Sequence, residues 1–200
     1  MKKINFKSLL YIALVAGIVT GCADEPELPP YQELTFVEGF EEGADNTLLV
    51  TEGWLNYAEQ GTAKWTIQRY NNNGYAEYTS FQTSAAVSVG WLISPAIALE
   101  ENHGKRLRFV SSQSFVSSPL NSLEVFVSTD FDGTNVAAAT WTQVDATIPG
   151  PDAEYFEFLD SGLIDLANFS GNVYVGFKVT GSGTNNELDG SYQIDNVTIY

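Results

Sequence analysis

The sequence predicts an all-β protein, an antiparallel β-sandwich built from many short strands. Apolar segments rich in β-branched and aromatic residues recur along the chain: LRFV (107–110), LEVFV (123–127), YFEFL (155–159), VYVGFKV (173–179) and YQIDNVTIY (192–200). The intervening NNNG, DFDGTN, IPGPD and GSGTNN have the composition of turns. No stretch keeps a helical period for three turns, so we expect little helix. Many short strands with such punctuation are typical of a sandwich.

Period-two alternation supports the strand assignments. In VYVGFKV one side of the predicted strand carries Val173, Val175, Phe177 and Val179. The four tryptophans adjoin predicted strands, and we expect most of them in the core: Trp54, Trp65, Trp91 and Trp141.

Length and charge limit the function classes. The 200 residues are 44% hydrophobic, enough for one well-packed domain. The formal net charge is −16, and three of the nine basic residues lie in the first seven positions. Without them, six basic residues face 25 acidic ones, a formal charge of −19. Such a surface repels phosphate backbones, so we expect no nucleic acid partner.

The first segment has the features of a signal peptide. Lys2, Lys3 and Lys7 precede a short apolar run, and IVTGC resembles the bacterial lipobox, which implies cleavage before Cys22 and acylation of its sulfur. Several acyl chains anchor a protein to membrane lipid more firmly than one does. We therefore predict a lipoprotein signal peptide over residues 1–21. An ordinary secretory signal with an incidental thiol is the alternative.

The segment after Cys22 is predicted to be an extended linker over residues 22–33. ADEPELPPYQE is acidic and proline-rich, which disfavours helix and core. Asp24 and Glu25 resemble the acidic signal that exports Bacteroidetes lipoproteins to the outer face of the outer membrane. The expected location is the cell surface, with a periplasm-facing position as the alternative. Cys22 has no partner for an intrachain disulfide because it is the single cysteine.

Residues 34–200 resemble the choice-of-anchor J family. The segments that carry the resemblance occur in the family order: GWLNYAEQGTAKW, YAEYTSF, WLISPAIAL, LEVFVSTDFDGTNVAAATWTQV, SGLIDLANFSGNVYVGFKVTG and YQIDNVTIY. That family is similar to gingipain cleaved-adhesin domains and, more remotely, to MAM domains. The resemblance implies a galactose-binding-like jelly-roll sandwich on a surface protein, without catalytic machinery. Family members often stand beside other domains, whereas this sequence places one domain after the predicted anchor.

The resemblance also implies a structural calcium site between the start of the domain and its final strand. The matching positions are Glu38 and Glu41 in EGFE and Asp195 in YQIDNV. Ca²⁺ prefers carboxylate and carbonyl oxygens. Period two places Asp195 on the same side as Gln193, Val197 and Ile199, where a lone buried charge is costly. The alternative is three solvated acids, paired with Arg106 or Arg108.

TDFDGTN is a weaker calcium candidate. Asp130 and Asp132 alternate ahead of Gly133, but the loop has no glutamate at the twelfth position of an EF-hand. Asp and Gly are also ordinary turn formers, and we favour a turn.

The segment RYNNNGYAEYTSF is the candidate ligand-binding stretch. Tyr70, Asn72, Tyr75 and Tyr78 combine aromatic faces with amide groups, a chemistry that suits sugar rings. Packing of Tyr75 and Tyr78 in the core is the alternative.

Catalytic material is sparse. His103 is the single histidine and lies in a polar link, so zinc and a Ser–His–Asp triad are not supported. The acidic group Glu154, Glu157 and Asp160 does not reproduce a jelly-roll glycosidase motif, and Glu157 is expected to face outward. We therefore expect no enzyme. The sequence favours a surface-anchored binding or adhesion module for glycans, ahead of an assembly protein that docks on an outer-membrane complex, and a carboxylate-dependent glycoside hydrolase comes third.

Overall fold

The computed structural model describes residues 34–99 and 105–200. Cys22, the predicted signal peptide and linker, and His103 lie outside the described residues. Fourteen strands occur in the described ranges: β1 (Phe36–Glu38), β2 (Thr47–Leu48), β3 (Leu55–Gln60), β4 (Thr66–Tyr70), β5 (Asn73–Thr79), β6 (Ser88–Ile93), β7 (Ile97–Leu99), β8 (Arg106–Ser114), β9 (Ser122–Ser128), β10 (Thr142–Val144), β11 (Leu159–Asp160), β12 (Ile164–Asp165), β13 (Gly171–Gly181) and β14 (Ser191–Ile199). The helical structure in these ranges is one 3-10 turn, Val136–Ala138, and none of their helices is long and apolar enough to cross a membrane.

The strands form two antiparallel sheets. The eight-stranded sheet has the order β11-β8-β14-β5-β4-β2, with β1 paired to β14 and β12 to β8. The six-stranded sheet has the order β10-β9-β13-β6-β3, with β7 paired to β13. Apart from the consecutive pairs β4–β5 and β9–β10, most neighbours in each sheet are distant in the chain. The first and last strands pair directly, Glu38 with Val197. The all-β jelly-roll prediction is confirmed.

One apolar core fills the space between the sheets. In β13 the predicted inward set is fully buried: Val173, Val175, Phe177 and Val179. Phe109 of β8 meets Phe177 edge-on, with ring centroids 5.1 Å apart, so the core joins both sheets. Trp54, Trp65 and Trp91 are buried as predicted, and Trp141 is half-buried.

A bare backbone at Gly90 lets the sheets approach each other. The Tyr78 ring of β5 lies against Gly90 of β6, and a Cβ added there would overlap the ring, 2.7 Å from Cζ. Tyr78 itself is fully buried and packs on Trp65 with ring centroids 5.6 Å apart. Glycine at position 90 is therefore required for close inter-sheet packing, since even one extra methyl group would overfill this point.

The outer side of the six-stranded sheet is covered by the chain that contains the 3-10 turn. Trp91 of β6 packs on Trp141 and Phe126, with ring centroids 5.1 Å and 5.2 Å away. Phe131 and Val136 from the covering segment are buried in the same cluster. Lys178 Nζ lies 5.4 Å from the centroid of the Trp91 ring, in cation–π range. This side of the sandwich carries its own small core.

Two sequence expectations about strand geometry are wrong. Tyr155–Leu159 is not a strand: only Leu159–Asp160 pairs with β8, and Phe156 adopts a φ of 61°, which an extended strand excludes. Asp195 does not share a side with Val197 and Ile199. A β-bulge follows Asp195, where Asn196 has a φ of 52°, and the extra residue shifts the alternation by one.

We predict that Gly90→Ala will destabilise the fold by about 1–3 kcal/mol, because the new methyl group must displace the Tyr78 ring. Gly150→Ala is the matched control, since a Cβ at Gly150 has no atom within 4 Å. Chemical unfolding of the three proteins measures the difference. Equal stability of the two variants would contradict the packing argument.

Candidate binding face

The outer face of the eight-stranded sheet carries the candidate site. On β5 the side chains alternate: Ala76 and Tyr78 are fully buried in the core, whereas Tyr75, Glu77 and Thr79 are half-buried on the other side. The neighbouring β14 contributes Gln193 to the same outer side, directly opposite Glu77. These alternating positions form the floor of the face.

A hydrogen-bonded row of polar side chains crosses this floor. Ser112 of β8 donates its hydroxyl to Gln193 Oε1 at 2.7 Å, and Gln193 Nε2 donates to Glu77 Oε2 at 2.7 Å. Ser114 and Ser191 share a further hydrogen bond of 2.7 Å. Except for Glu77, these side chains are at least nine-tenths buried. The row fixes the position of the Glu77 carboxylate across three strands.

The segment that precedes β11 forms a wall above the floor. Phe156 N donates to the carbonyl of Gln113 at 2.8 Å, and Gln113 Nε2 donates to the carbonyl of Ala153 at 2.6 Å. From this edge Phe158 reaches across the sheet to Tyr75, edge to face, with ring centroids 5.7 Å apart. The wall therefore places aromatic rings over β14 and β5.

Two grooves lie beside this wall and share Phe156. The first, here named the Tyr75 groove, has a volume of about 680 Å³ and is lined by Tyr70, Asn71, Asn73, Tyr75, Phe156 and Phe158. The second, here named the Phe115 groove, has a volume of about 690 Å³. Its lining is formed by Glu77, Thr79, Phe81, Ser114, Phe115, Ser117, Tyr155, Phe156, Asn186, Asp189 and Ser191.

Large aromatic side chains of both grooves are open to solvent. The exposed fraction is 71% for Tyr70, 62% for Phe115 and 52% for Phe156. Phe115 and Phe156 also have positive φ values of 59° and 61°, a conformation that costs a residue with a Cβ about 1–2 kcal/mol. Neither burial nor backbone preference explains why phenylalanine occupies these two positions. Residues in strained backbone conformations concentrate at ligand sites.

The electrostatics of the face are acidic. Burial raises the pKa of Glu77 above its usual value, Asp45 adds to the rise, and the Gln193 hydrogen bond opposes it. Burial also raises the pKa of Tyr75, helped by the charges of Glu77 and Asp45. Of the described residues that line the two grooves, none is Lys, Arg or His.

The predicted ligand residues fall into two groups. Tyr70 and Tyr75 line the Tyr75 groove, and Asn72 lies beside it in the β4–β5 turn between the lining residues Asn71 and Asn73. Tyr78 is a correction: it belongs to the inward set of β5 and is fully buried, so its ring is not available to a ligand.

Sequence reasoning missed the wall residues and Phe115. Tyr155, Phe156 and Phe158 line the grooves, although 155–159 has the pattern of a strand. Phe115, directly after β8, lines the Phe115 groove. The IPGPD turn two residues before 155–159 was the available signal, because glycine and proline often mark a chain that leaves the regular strand.

Of the three acids predicted to bind calcium, Glu41 and Asp195 accept hydrogen bonds from the start of β5, from Gly74 N and Asn73 Nδ2. Glu38 accepts hydrogen bonds from Phe40 N at 2.7 Å and Trp54 Nε1 at 3.2 Å. Glu41 pairs with Arg69 at 3.1 Å, whereas Arg106 and Arg108 pair with Asp165 and Asp160. Glu41 is therefore paired with an arginine, but with Arg69 and not with Arg106 or Arg108, which the sequence suggested.

Asp195 is the buried member of this acidic group, with 3% exposure. It accepts hydrogen bonds from Asn73 Nδ2 at 2.9 Å and Asn196 N at 2.6 Å. Burial raises the pKa of Asp195, the two hydrogen bonds oppose the rise, and the charges of Glu41 and Glu38 add to it. A cation would relieve this repulsion. However, within residues 34–99 and 105–200 no three His, Cys, Asp or Glu side chains group closely enough to hold a metal ion.

The second acidic loop is held by its own hydrogen bonds. Asp130 accepts from Thr140 N and Ser128 Oγ, both at 2.8 Å. Asp132 accepts from Thr134 N at 2.8 Å and Asn135 N at 2.7 Å, as an Asx turn does. The backbone hydrogen bonds from Thr140 and Asn135 lower the pKa of Asp130 and Asp132, respectively. In each residue these donors converge on Oδ1, which is the arrangement of a turn held by its own side chain.

No protein-family model matches the sequence, and no curated protein matches it either. The resemblance to the choice-of-anchor J family therefore stays a prediction.

Solved structures do match the fold. The K2 cleaved adhesin domain of Lys-gingipain has a TM-score of 0.53 at 14% identity, over 82% of this chain and 97% of that domain. The K3 cleaved adhesin domain of Lys-gingipain from Porphyromonas gingivalis W83 has a TM-score of 0.50 at 14% identity, over 84% and 99%. A xylan-binding domain from Paenibacillus barcinonensis has a TM-score of 0.45 at 14% identity, over 84% and 94%. The chain shares the β-sandwich fold of the gingipain adhesin domains.

We predict that Glu77→Gln will remove part of the pH dependence of stability. Because the folded pKa of Glu77 is raised, the folded state holds this proton more tightly than the unfolded state does. Stability is then lost as the pH rises above the usual value of 4.5 and through the raised pKa. Glutamine stays neutral and keeps an oxygen for Gln193, so the variant should be more stable than the parent at pH 7 and similar to it at pH 4.

Urea unfolding between pH 4 and pH 8 measures this difference. Glu157→Gln, at an exposed position, is the control and should run parallel to the parent within about 0.5 kcal/mol. A Glu77→Gln curve parallel to that of the parent would contradict the burial argument.

Proposed function

We propose that this protein is a non-catalytic binding module for glycans, and that its ligand lies in the Tyr75 groove. The observation that carries the proposal is the set of aromatic faces beside amide groups: Tyr70, Tyr75, Phe156 and Phe158 with Asn71 and Asn73. Sugar rings present apolar C–H faces that pack on aromatic rings and hydroxyl groups that bond to amides. The exposure of Tyr70 and Phe156 is accounted for by such a ligand.

The proposed location follows from the sequence. The basic start, the short apolar run and Cys22 support a lipid anchor, and the acidic residues after Cys22 support export to the cell surface. A binding face on a tethered domain then has the role of an adhesin or a glycan-capturing lipoprotein. Membrane lipid and an extracellular glycan are the partners of this proposal.

A docking role on a membrane complex and a hydrolase role have weaker support. The exposed rings would also suit a protein partner, but the amide groups of Asn71 and Asn73 beside them suit a hydroxylated ligand better. The acids considered for glycoside hydrolysis do not form a catalytic pair. Glu154 and Glu157 are exposed, and Asp160 is paired with Arg108.

We predict that the purified protein binds glycans on an array and that Tyr70→Ala weakens the binding about 3- to 10-fold, the loss expected for one stacked aromatic ring. Tyr70 is 71% exposed, so its removal should leave the melting temperature unchanged. Leu163→Ala is the control, because Leu163 is 62% exposed and lines neither groove. Absence of glycan binding, together with co-purification of a membrane protein, would favour the docking role.

We also propose a structural calcium ion at Glu38, Glu41 and Asp195. Burial, and then the charges of Glu41 and Glu38, raise the pKa of Asp195, and a cation would offset both effects. Because the described carboxylates do not group closely enough to hold an ion, binding would have to draw the three side chains together. A chelator should then lower the melting temperature of the purified protein, and Asp195→Asn should abolish the shift. Asp132→Asn, in the weaker candidate loop, should leave the chelator effect intact. A melting temperature that is unchanged by chelator would remove the ion from the proposal.

A further inference from the structure

We propose that the Tyr75 groove and the Phe115 groove form one cleft, and that this cleft takes an internal stretch of an uncharged, extended polysaccharide chain. This inference rests on the proposed function and adds the length and the charge of the ligand. Neither the sequence motif around Tyr75 nor the fold comparisons point to the second groove.

Continuity of the two grooves comes from β5 and from Phe156. The outward residues of β5 line them in succession: Asn73 and Tyr75 belong to the Tyr75 groove, and Glu77 and Thr79 to the Phe115 groove. At about 3.3 Å per residue this strand spans roughly 20 Å, and Phe81 extends the lining beyond its end. Phe156 belongs to both grooves and marks their junction. A ligand long enough to contact Tyr70 and Phe115 together must cross Phe156.

The charge of the cleft selects against acidic chains. Glu77 and Asp189 line it, and Asp45 is near enough to raise the pKa of Tyr75 and Glu77. Among its described lining residues there is no basic side chain to neutralise a carboxylate or a sulfate. Carboxylates accept hydrogen bonds from hydroxyl groups, which an uncharged polysaccharide supplies. Uronate-rich or sulfated chains would meet only repulsion.

The backbone conformation and the exposure of Phe115 and Phe156 support a role for both rings in contacting the ligand along the cleft. Phe115 and Phe156 are more than half exposed and have positive φ values, so each lowers the stability of the free protein. Phe115 also packs on Tyr155 with ring centroids 4.9 Å apart, which holds both rings at the rim. Glycine at either position would remove the cost of the positive φ, so that the substitution would take away only the ring.

The test measures the affinity of the purified protein for cello-, xylo-, manno- and laminari-oligosaccharides from the disaccharide to the hexasaccharide. We expect the affinity for the recognised series to rise with chain length. Phe115→Gly should weaken hexasaccharide binding about 3- to 10-fold, the value of one stacked ring, and leave disaccharide binding unchanged. Phe156→Gly should weaken the binding of both, because this ring lies at the junction. Polygalacturonate and alginate should not bind.

The glycine variants separate a ligand contact from a structural role. Phe115→Gly and Phe156→Gly should be at least as stable as the corresponding alanine variants, because glycine accepts the positive φ without strain. A melting temperature close to that of the parent then shows that weaker binding does not come from unfolding. Leu163→Ala again serves as the control. Affinity that does not depend on chain length, an unchanged hexasaccharide affinity in Phe115→Gly, or equal binding of the acidic chains would overturn the cleft while the glycan-binding function stands. No binding by any glycan would overturn both.

Discussion

The contact of the Tyr78 ring with the bare backbone of Gly90 is the constraint on which the sandwich and its binding face depend. It determines how closely β5 and β6 approach, and it fixes which side of β5 faces the core. With Tyr78 and Ala76 turned inward, Tyr75, Glu77 and Thr79 must face outward, because side chains alternate along a strand. The floor of the candidate site is thus a consequence of core packing on the opposite side of the same strand.

Alternation alone predicted the parts of the fold where strands are regular. In β13 the inward set read from the sequence is the buried set, from Val173 to Val179. The same reasoning failed at Asp195, because the bulge at Asn196 inserts one residue into β14. Asparagine tolerates a positive φ better than most residues, but many asparagines in this chain occupy ordinary conformations. A bulge is therefore not visible in the sequence, although it decides on which side of the sheet Asp195 lies.

The site residues on β4 and β5 were predicted from the sequence, whereas those of the wall were not. Tyr70 ends β4 and Tyr75 lies in β5, on either side of the short β4–β5 turn, so their position could be inferred from neighbouring residues. Phe158, just before β11, reaches Tyr75 of β5 although β8 and β14 lie between β11 and β5 in the sheet order. Sequence spacing does not encode such a contact across a sheet. The exposure of Phe156 depends on its positive φ, whereas an apolar alternating segment normally suggests burial.

The acidic group and the binding face are joined by Asn73. This residue donates a hydrogen bond to the buried carboxylate of Asp195, and it also lines the Tyr75 groove. Burial raises the pKa of Asp195, and the charges of Glu41 and Glu38 add to the rise. These effects therefore act next to a side chain that lines the Tyr75 groove. Neutralising Asp195, by a proton or by a cation, would change the hydrogen bond that the Asn73 amide donates to this carboxylate. The charges near the start of the domain and the polar lining of the Tyr75 groove are consequently coupled through Asn73, and a substitution in one is expected to change the other.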